Sequence, residues 1–209
     1  MLCRNKVNGE DITSIKQFTS VFEKVNDNDK AFKHCMEDII LKLLNVEIMT
    51  NINKVTCGKF ISTILYASIT IAKKLTFQDI FIVLQKNVSS ENATGRVDYA
   101  IKSLEDLLCI TKGKLCNIII RYAQLKSAFQ TNKKKRTADQ AFGNDYFDYI
   151  YSIVITGTEW YFIIYTPDGI YSTNESEYQI NLMKSAVKNN LELLYTSEIK
   201  HPFFIIGNA

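Results

Sequence analysis

A chain of 209 residues with 46% hydrophobic and 22% charged side chains and two prolines carries enough apolar surface for a packed core, which excludes a disordered or low-complexity polymer. Its formal net charge of +3 is too small to diagnose nucleic-acid binding and does not oppose it, so such a function has to rest on local clusters of charge. The five cysteines, Cys3, Cys35, Cys57, Cys109 and Cys116, are odd in number and widely spaced, which fits neither a disulfide framework nor a zinc site and points to free thiols in a reducing compartment.

The polar stretch from Met1 to Asp11 has no apolar run and no small-residue cleavage site, so no secretory signal is expected and the location is expected to be intracellular. From Thr13 to Val25, the residues Ile15, Phe18, Val21, Phe22 and Val25 recur at helical spacing, which predicts an amphipathic helix capped by Asp11, Thr13 or Ser14. A second helix is predicted after Asn28 and Asp29, with Phe32, Cys35, Met36, Ile39, Ile40, Leu43 and Leu44 as one apolar stripe. A third spans Lys54 to Lys73. Its apolar part, Phe60 to Ala72, is bounded by Lys59 and Lys73 and broken by Ser62, Thr63, Ser68 and Thr70, so it reads as a buried helix that falls short of a bilayer span, with no membrane partner.

Beyond Lys74 the texture becomes that of strands. Phe77 to Leu84 is short, apolar and β-branched, and Lys86 to Gly95 reads as a polar loop. Val97 to Ile101 and Leu107 to Thr111 predict two antiparallel strands joined by a turn from Ser103 to Asp106. Asn117 to Gln130 predicts a helix ending in Thr131-Asn132-Lys133-Lys134-Lys135-Arg136, followed by a polar linker to about Asn144. Tyr146 to Thr156 and Glu159 to Tyr165, split by Gly157, predict a hairpin; Gly169 to Tyr171 adds a short strand and Gln179 to Tyr195 a closing helix. Trp160, Tyr161, Phe162 and Tyr165 read as core strand residues rather than a base-stacking platform. The order of elements predicts an α/β fold with a mixed sheet flanked by helices.

Metal-dependent phosphodiester cleavage needs carboxylates to hold a hard cation and a lysine near the attacking water. With the turn centred near Glu105, Asp98 lies across the ladder from roughly Thr111, so that Lys112-Gly113-Lys114 faces the same end. His34 and His201 lack partners for a metal site or a triad, and no glycine-rich phosphate loop occurs.

Gly95-Arg96-Val97-Asp98-Tyr99-Ala100-Ile101 followed by Cys109-Ile110-Thr111-Lys112-Gly113-Lys114 resembles the PD-(D/E)XK signature in the nuclease-like domain of Crinkler-type effectors. Tyr122-Ala123-Gln124-Leu125, the segment from Gln130 to Arg136 and the segment from Ile155 to Tyr161 strengthen the resemblance, which covers about the second half of the chain well and the first half loosely. It implies a restriction-endonuclease-like core over 75–209, preceded by a helical segment over 1–74 packed on it. It further implies Asp98 as the first metal-binding acid, Lys114 as the catalytic lysine, Gln124 as a polar site residue from the helix behind, and Mg²⁺ as the cofactor. An early helix of the family supplies another glutamate. Glu37 is the choice for it, because at 100° per residue it borders the apolar stripe while Asp38 points nearly opposite.

The sequence departs from the family at Lys112, where an acid is expected, and at Ala128, four residues after Gln124, where a tyrosine is expected. A cation at position 112 repels Mg²⁺ and pairs with Asp98. The expected function is therefore a nuclease-fold effector domain that binds nucleic acid, DNA foremost, with a degenerate metal site. The alternatives are an active Mg²⁺-dependent endonuclease and a module that docks on a host protein without touching nucleic acid. Lys133, Lys134, Lys135 and Arg136 end a predicted helix, where one or two cations complement the macrodipole; the rest are candidates for phosphate contact or nuclear import. The oligomeric state is not set by anything in the sequence.

Overall fold

A computed structural model describes residues 15–18, 25–46, 54–90, 93–103, 106–112, 118–135, 149–156 and 159–173. They form a mixed α+β fold, in agreement with the expected class. The chain divides into two compact units, one of Met1–Thr19, Phe81–Val154 and Tyr161–Glu175, the other of Ser20–Ile80, Ile155–Trp160 and Ser176–Ala209. The predicted linker to Asn144, the closing helix from Gln179 to Tyr195 and the tail after it lie outside the described residues.

The second unit is built on two helices, α1 (Lys30–Asn45) and α2 (Lys54–Thr76). Asp29 starts α1: its Oδ1 accepts from the backbone N–H of Ala31 at 2.7 Å and Phe32 at 3.2 Å, which satisfies two donors that a helix start leaves unpaired. Its other oxygen accepts from Lys74 Nζ at 2.6 Å, so one carboxylate caps α1 and ties it to the end of α2. Burial raises the Asp29 pKa, but Lys74 and the two N–H groups outweigh it and hold the carboxyl below its ordinary value. Further along, Thr63 Oγ1 donates to Asp38 Oδ2 at 2.7 Å while Lys42 donates to both. The contacts of Asp29 with Lys74 and of Asp38 with Thr63 make the helices antiparallel. Phe32, Met36, Ile39 and Leu43 of α1 are all 0% exposed.

Two expectations for these helices need correction. Leu44 is 49% exposed, so the buried arc of α1 excludes it and rotates away from Glu37 towards Asp38. Helix α2 starts at Lys54 as expected but runs past Lys73 to Thr76. From Val55 to Thr76, 22 residues, it is long and apolar enough to cross a membrane by length and composition, with 50% of its most apolar stretch buried. It stops at Phe77, whose φ of 56° is the left-handed ending usually given to glycine. Cys35, Cys57 and Cys109 are free thiols, as expected; burial, and then Asp38, pushes the Cys35 thiol up to about 12.

The first unit holds most of a seven-stranded sheet. Its strands are β1 (Lys16–Gln17), β2 (Ile80–Leu84), β5 (Tyr99–Ser103), β6 (Asp106–Lys112), β7 (Ile150–Thr156), β8 (Glu159–Thr166) and β9 (Gly169–Ser172); a separate two-stranded ribbon is made by β3 (Asn87–Ser90) and β4 (Ala93–Arg96). The sheet order is β1-β9-β8-β7-β6-β5-β2. Strands β5 and β6 are antiparallel, while β6 and β7 are parallel, and a parallel neighbour requires a crossover. Helix α3 (Ile118–Lys135) lies in that crossover. Leu125 and Ala128 of α3 join Ala100, Ile110, Ile150 and Val154 of the sheet in one buried cluster. Trp160, Tyr161, Phe162 and Tyr165 are at most 6% exposed, which makes them core residues as expected.

Here too the structure overturns expectations. The helix predicted from Thr13 to Val25 is absent at Lys16 and Gln17, which pair in parallel with Tyr171 and Ser172, and Phe18 N–H donates to Ser172 O at 3.0 Å. A distant strand supplies backbone partners that a helix would have supplied locally. The polar loop predicted from Lys86 to Gly95 is the β3–β4 hairpin, in register from Asn87–Arg96 to Ser90–Ala93. Its Asn87, Ala93 and Gly95 are of types depleted in strands, and the ribbon lies against α3, so tertiary packing overrides propensity.

Candidate functional site

The β5–β6 ladder positions Asp98. Near the turn, Ser103 pairs with Asp106 and Lys102 with Leu107; beyond a bulge, Ile101 pairs with Cys109, Ala100 with Ile110 and Tyr99 with Thr111. An uninterrupted ladder from the turn would set Asp98 opposite Thr111, as expected from the sequence. The bulge takes up Leu108 as one extra residue on β6, so Thr111 has Tyr99 as its partner, the pairing ends there, and Asp98 and Lys112 are the next residues outward. Asp98 is half-buried. Its N–H donates to Thr111 O at 3.1 Å and its carbonyl accepts from Gln85 N–H at 2.8 Å, which fixes its backbone from both sides.

Beside it, Thr111 is 0% exposed and its hydroxyl has no hydrogen-bond partner among the described residues. A buried unpaired hydroxyl destabilises a fold. Thr111→Val, which keeps the shape and removes the oxygen, is expected to raise the unfolding free energy by about 1 kcal/mol, read as a shift of the chemical denaturation midpoint. An unchanged or lower midpoint would show that the hydroxyl is satisfied after all.

The remaining candidates are dispersed. Gln124 is 4% exposed and sits next to Leu125 in the buried stretch of α3. Glu37 is exposed on α1, whereas Asp38, read from the sequence as pointing away, is half-buried and bonded to Thr63. Lys114 and Arg136 lie outside the described residues. Lys133 is exposed, and Lys134 and Lys135 continue α3.

Asn132, which sequence reasoning did not single out for this role, decides where that basic run sits. It is 5% exposed; its Nδ2 donates to Leu107 O at 2.8 Å and its Oδ1 accepts from Leu107 N–H at 2.9 Å. An asparagine inside a helix, a position it fills poorly by propensity, was the available signal. The pair pins the last turns of α3 to the start of β6, while Asp98 is level with the end of that strand. Leu107 and Lys112 are separated by about 17 Å of strand at ~3.3 Å per residue, so the structure does not bring Lys133 to Lys135 together with Asp98.

Other cations have backbone that neighbours Asp98. Val97 N–H donates to Lys86 O at 2.9 Å, and Arg96 pairs with Asn87 at the open end of the hairpin. Arg96 is exposed and donates from Nη2 to Gln85 Oε1. Gln85 adopts φ 50°, a left-handed conformation that costs a non-glycine residue about 1–2 kcal/mol. In that conformation it holds Asp98 through its N–H and Arg96 through its side chain.

Among the described residues no group of three His, Cys, Asp or Glu side chains is placed to hold a metal ion. The single carboxylate of Asp98 is a poor donor set for Mg²⁺, which takes carboxylate and other oxygen ligands, and no hydrolytic step through a metal follows from it. Fold and site together define a mixed α+β protein that presents an aspartate beside a bulged antiparallel pair. No protein-family model matches the chain, and no curated protein matches it.

Proposed function

We propose that this chain is a restriction-endonuclease-like domain that binds nucleic acid, DNA foremost, and has lost metal-dependent cleavage at Lys112. The observation that carries this reading is the β5–β6 pairing, which ends at Tyr99–Thr111 and leaves Asp98 and Lys112 as the next residue outward on each side of the same end. An acid at 112 would give a second carboxylate for a divalent cation at that end of the pair; a lysine there supplies no anionic ligand and opposes the cation instead. The β6–α3–β7 crossover after the hairpin supports the same reading, since it follows the element order expected of such a core. The role proposed is that of an intracellular effector domain acting on nuclear DNA.

The test is incubation of the purified chain with plasmid DNA and Mg²⁺ or Mn²⁺. The wild type is expected to bind without cutting, and Lys112→Glu to gain cleavage at least about tenfold above background, a change of about 1.4 kcal/mol in the barrier. That gain is expected to vanish when Asp98→Ala is added. Cutting by the wild type that Asp98→Ala abolishes would establish an active endonuclease. Binding that is negligible at every salt concentration would favour a protein-docking module.

A further inference from the structure

We propose that the nucleic-acid backbone is gripped at the Asp98 end of the sheet by Arg96 and Lys86, at the open end of the β3–β4 hairpin, and not by the basic run that ends α3. The proposal rests on the reading that the chain binds nucleic acid and names the place where it does so.

Lys86 and Arg96 are the cationic positions next to Asp98 in the backbone pairings: Val97 N–H donates to Lys86 O, and Arg96 stands two residues before Asp98, opposite Asn87, and two cations at one end of a ribbon suit a phosphodiester. Arg96 is exposed and oriented by Gln85, and a planar guanidinium that is already held loses less freedom when it takes two phosphate oxygens. Gln85 maintains this with a left-handed backbone, and departures of that kind persist where neighbouring structure enforces them and cluster at binding sites. The hairpin is backed by α3, so the cations stand on a supported ribbon. The basic run has a structural task of its own: Lys133, Lys134 and Lys135 occupy the last turn of α3, where cations offset the negative end of the helix dipole.

The test is fluorescence anisotropy of a labelled DNA duplex with the full chain across a salt series. The double variant Lys86→Gln with Arg96→Gln is expected to weaken binding at least about tenfold and to make the log–log salt slope shallower by about 1.8, near 0.9 for each phosphate no longer neutralised. Arg96→Lys, which keeps the charge but not the planar fork, is expected to keep the salt slope while losing part of the affinity, and an unchanged circular dichroism spectrum separates a missing cation from an unfolded chain. The triple variant Lys133→Gln, Lys134→Gln, Lys135→Gln is expected to keep the wild-type slope. If the triple variant instead makes the slope shallower by about 2.7 while the double variant binds normally, the placement is overturned and nucleic-acid binding stands. A wild type that binds no duplex overturns the underlying reading, and equal binding of polyglutamate overturns the choice of nucleic acid as the partner.

Discussion

Asn132→Ala is expected to lower the unfolding free energy by about 2–4 kcal/mol, because it removes two hydrogen bonds and strands the N–H and carbonyl of Leu107. Leu107 is 2% exposed, so water does not readily replace the missing amide. For a chain of this size the loss corresponds to a fall in Tm of roughly 4–16 °C, measurable by thermal circular dichroism. Asn132→Asp retains an acceptor for Leu107 N–H and removes the donor to its carbonyl, and it also buries a charge, so it should be no better tolerated. A cost under about 0.5 kcal/mol, the range of an ordinary surface change, would mean that Asn132 does not fasten α3 to β6. The separation of the basic run from Asp98 would then lose its anchor.

Phe32→Ala is expected to cost about 3–5 kcal/mol, the range for emptying a buried aromatic site whose surroundings relax only in part. Phe32 is 0% exposed and shares the buried arc of α1 with Met36, Ile39 and Leu43, each also at 0%. Leu44→Ala serves as the comparison: with Leu44 49% exposed, truncation there should stay within about 0.5–1 kcal/mol. Urea denaturation of the two variants beside the wild type measures both. Equal costs would show that the apolar stripe as read from spacing alone, Leu44 included, is the buried one, and would restore Glu37 to its edge.

Much of this molecule was legible locally. Asp29 ahead of a 3.6-residue apolar period marks α1, and the long apolar run marks α2. The β-branched and aromatic stretches with short turns mark β5 to β9, because periodicity and turn chemistry are properties of neighbouring residues. The aspartate strand and the lysine strand were found in this way, as was their antiparallel pairing.

What local chemistry left open depended on partners far away in sequence. Lys16 and Gln17 are a strand because Tyr171 and Ser172 are there to pair with, and the polar segment after Lys86 is a hairpin because α3 supports it. The bulge at Leu108 moves the register by one residue and makes Tyr99, not Asp98, the strand partner of Thr111. The hold of Asn132 on Leu107, 25 residues apart in the chain, decides which cations share an end of the sheet with Asp98. Residue order alone was enough to mark most helices and strands and to say which positions carry charge. Which of those charges meet was set by folding, because a buried backbone group must find a hydrogen-bond partner wherever the folded chain supplies one.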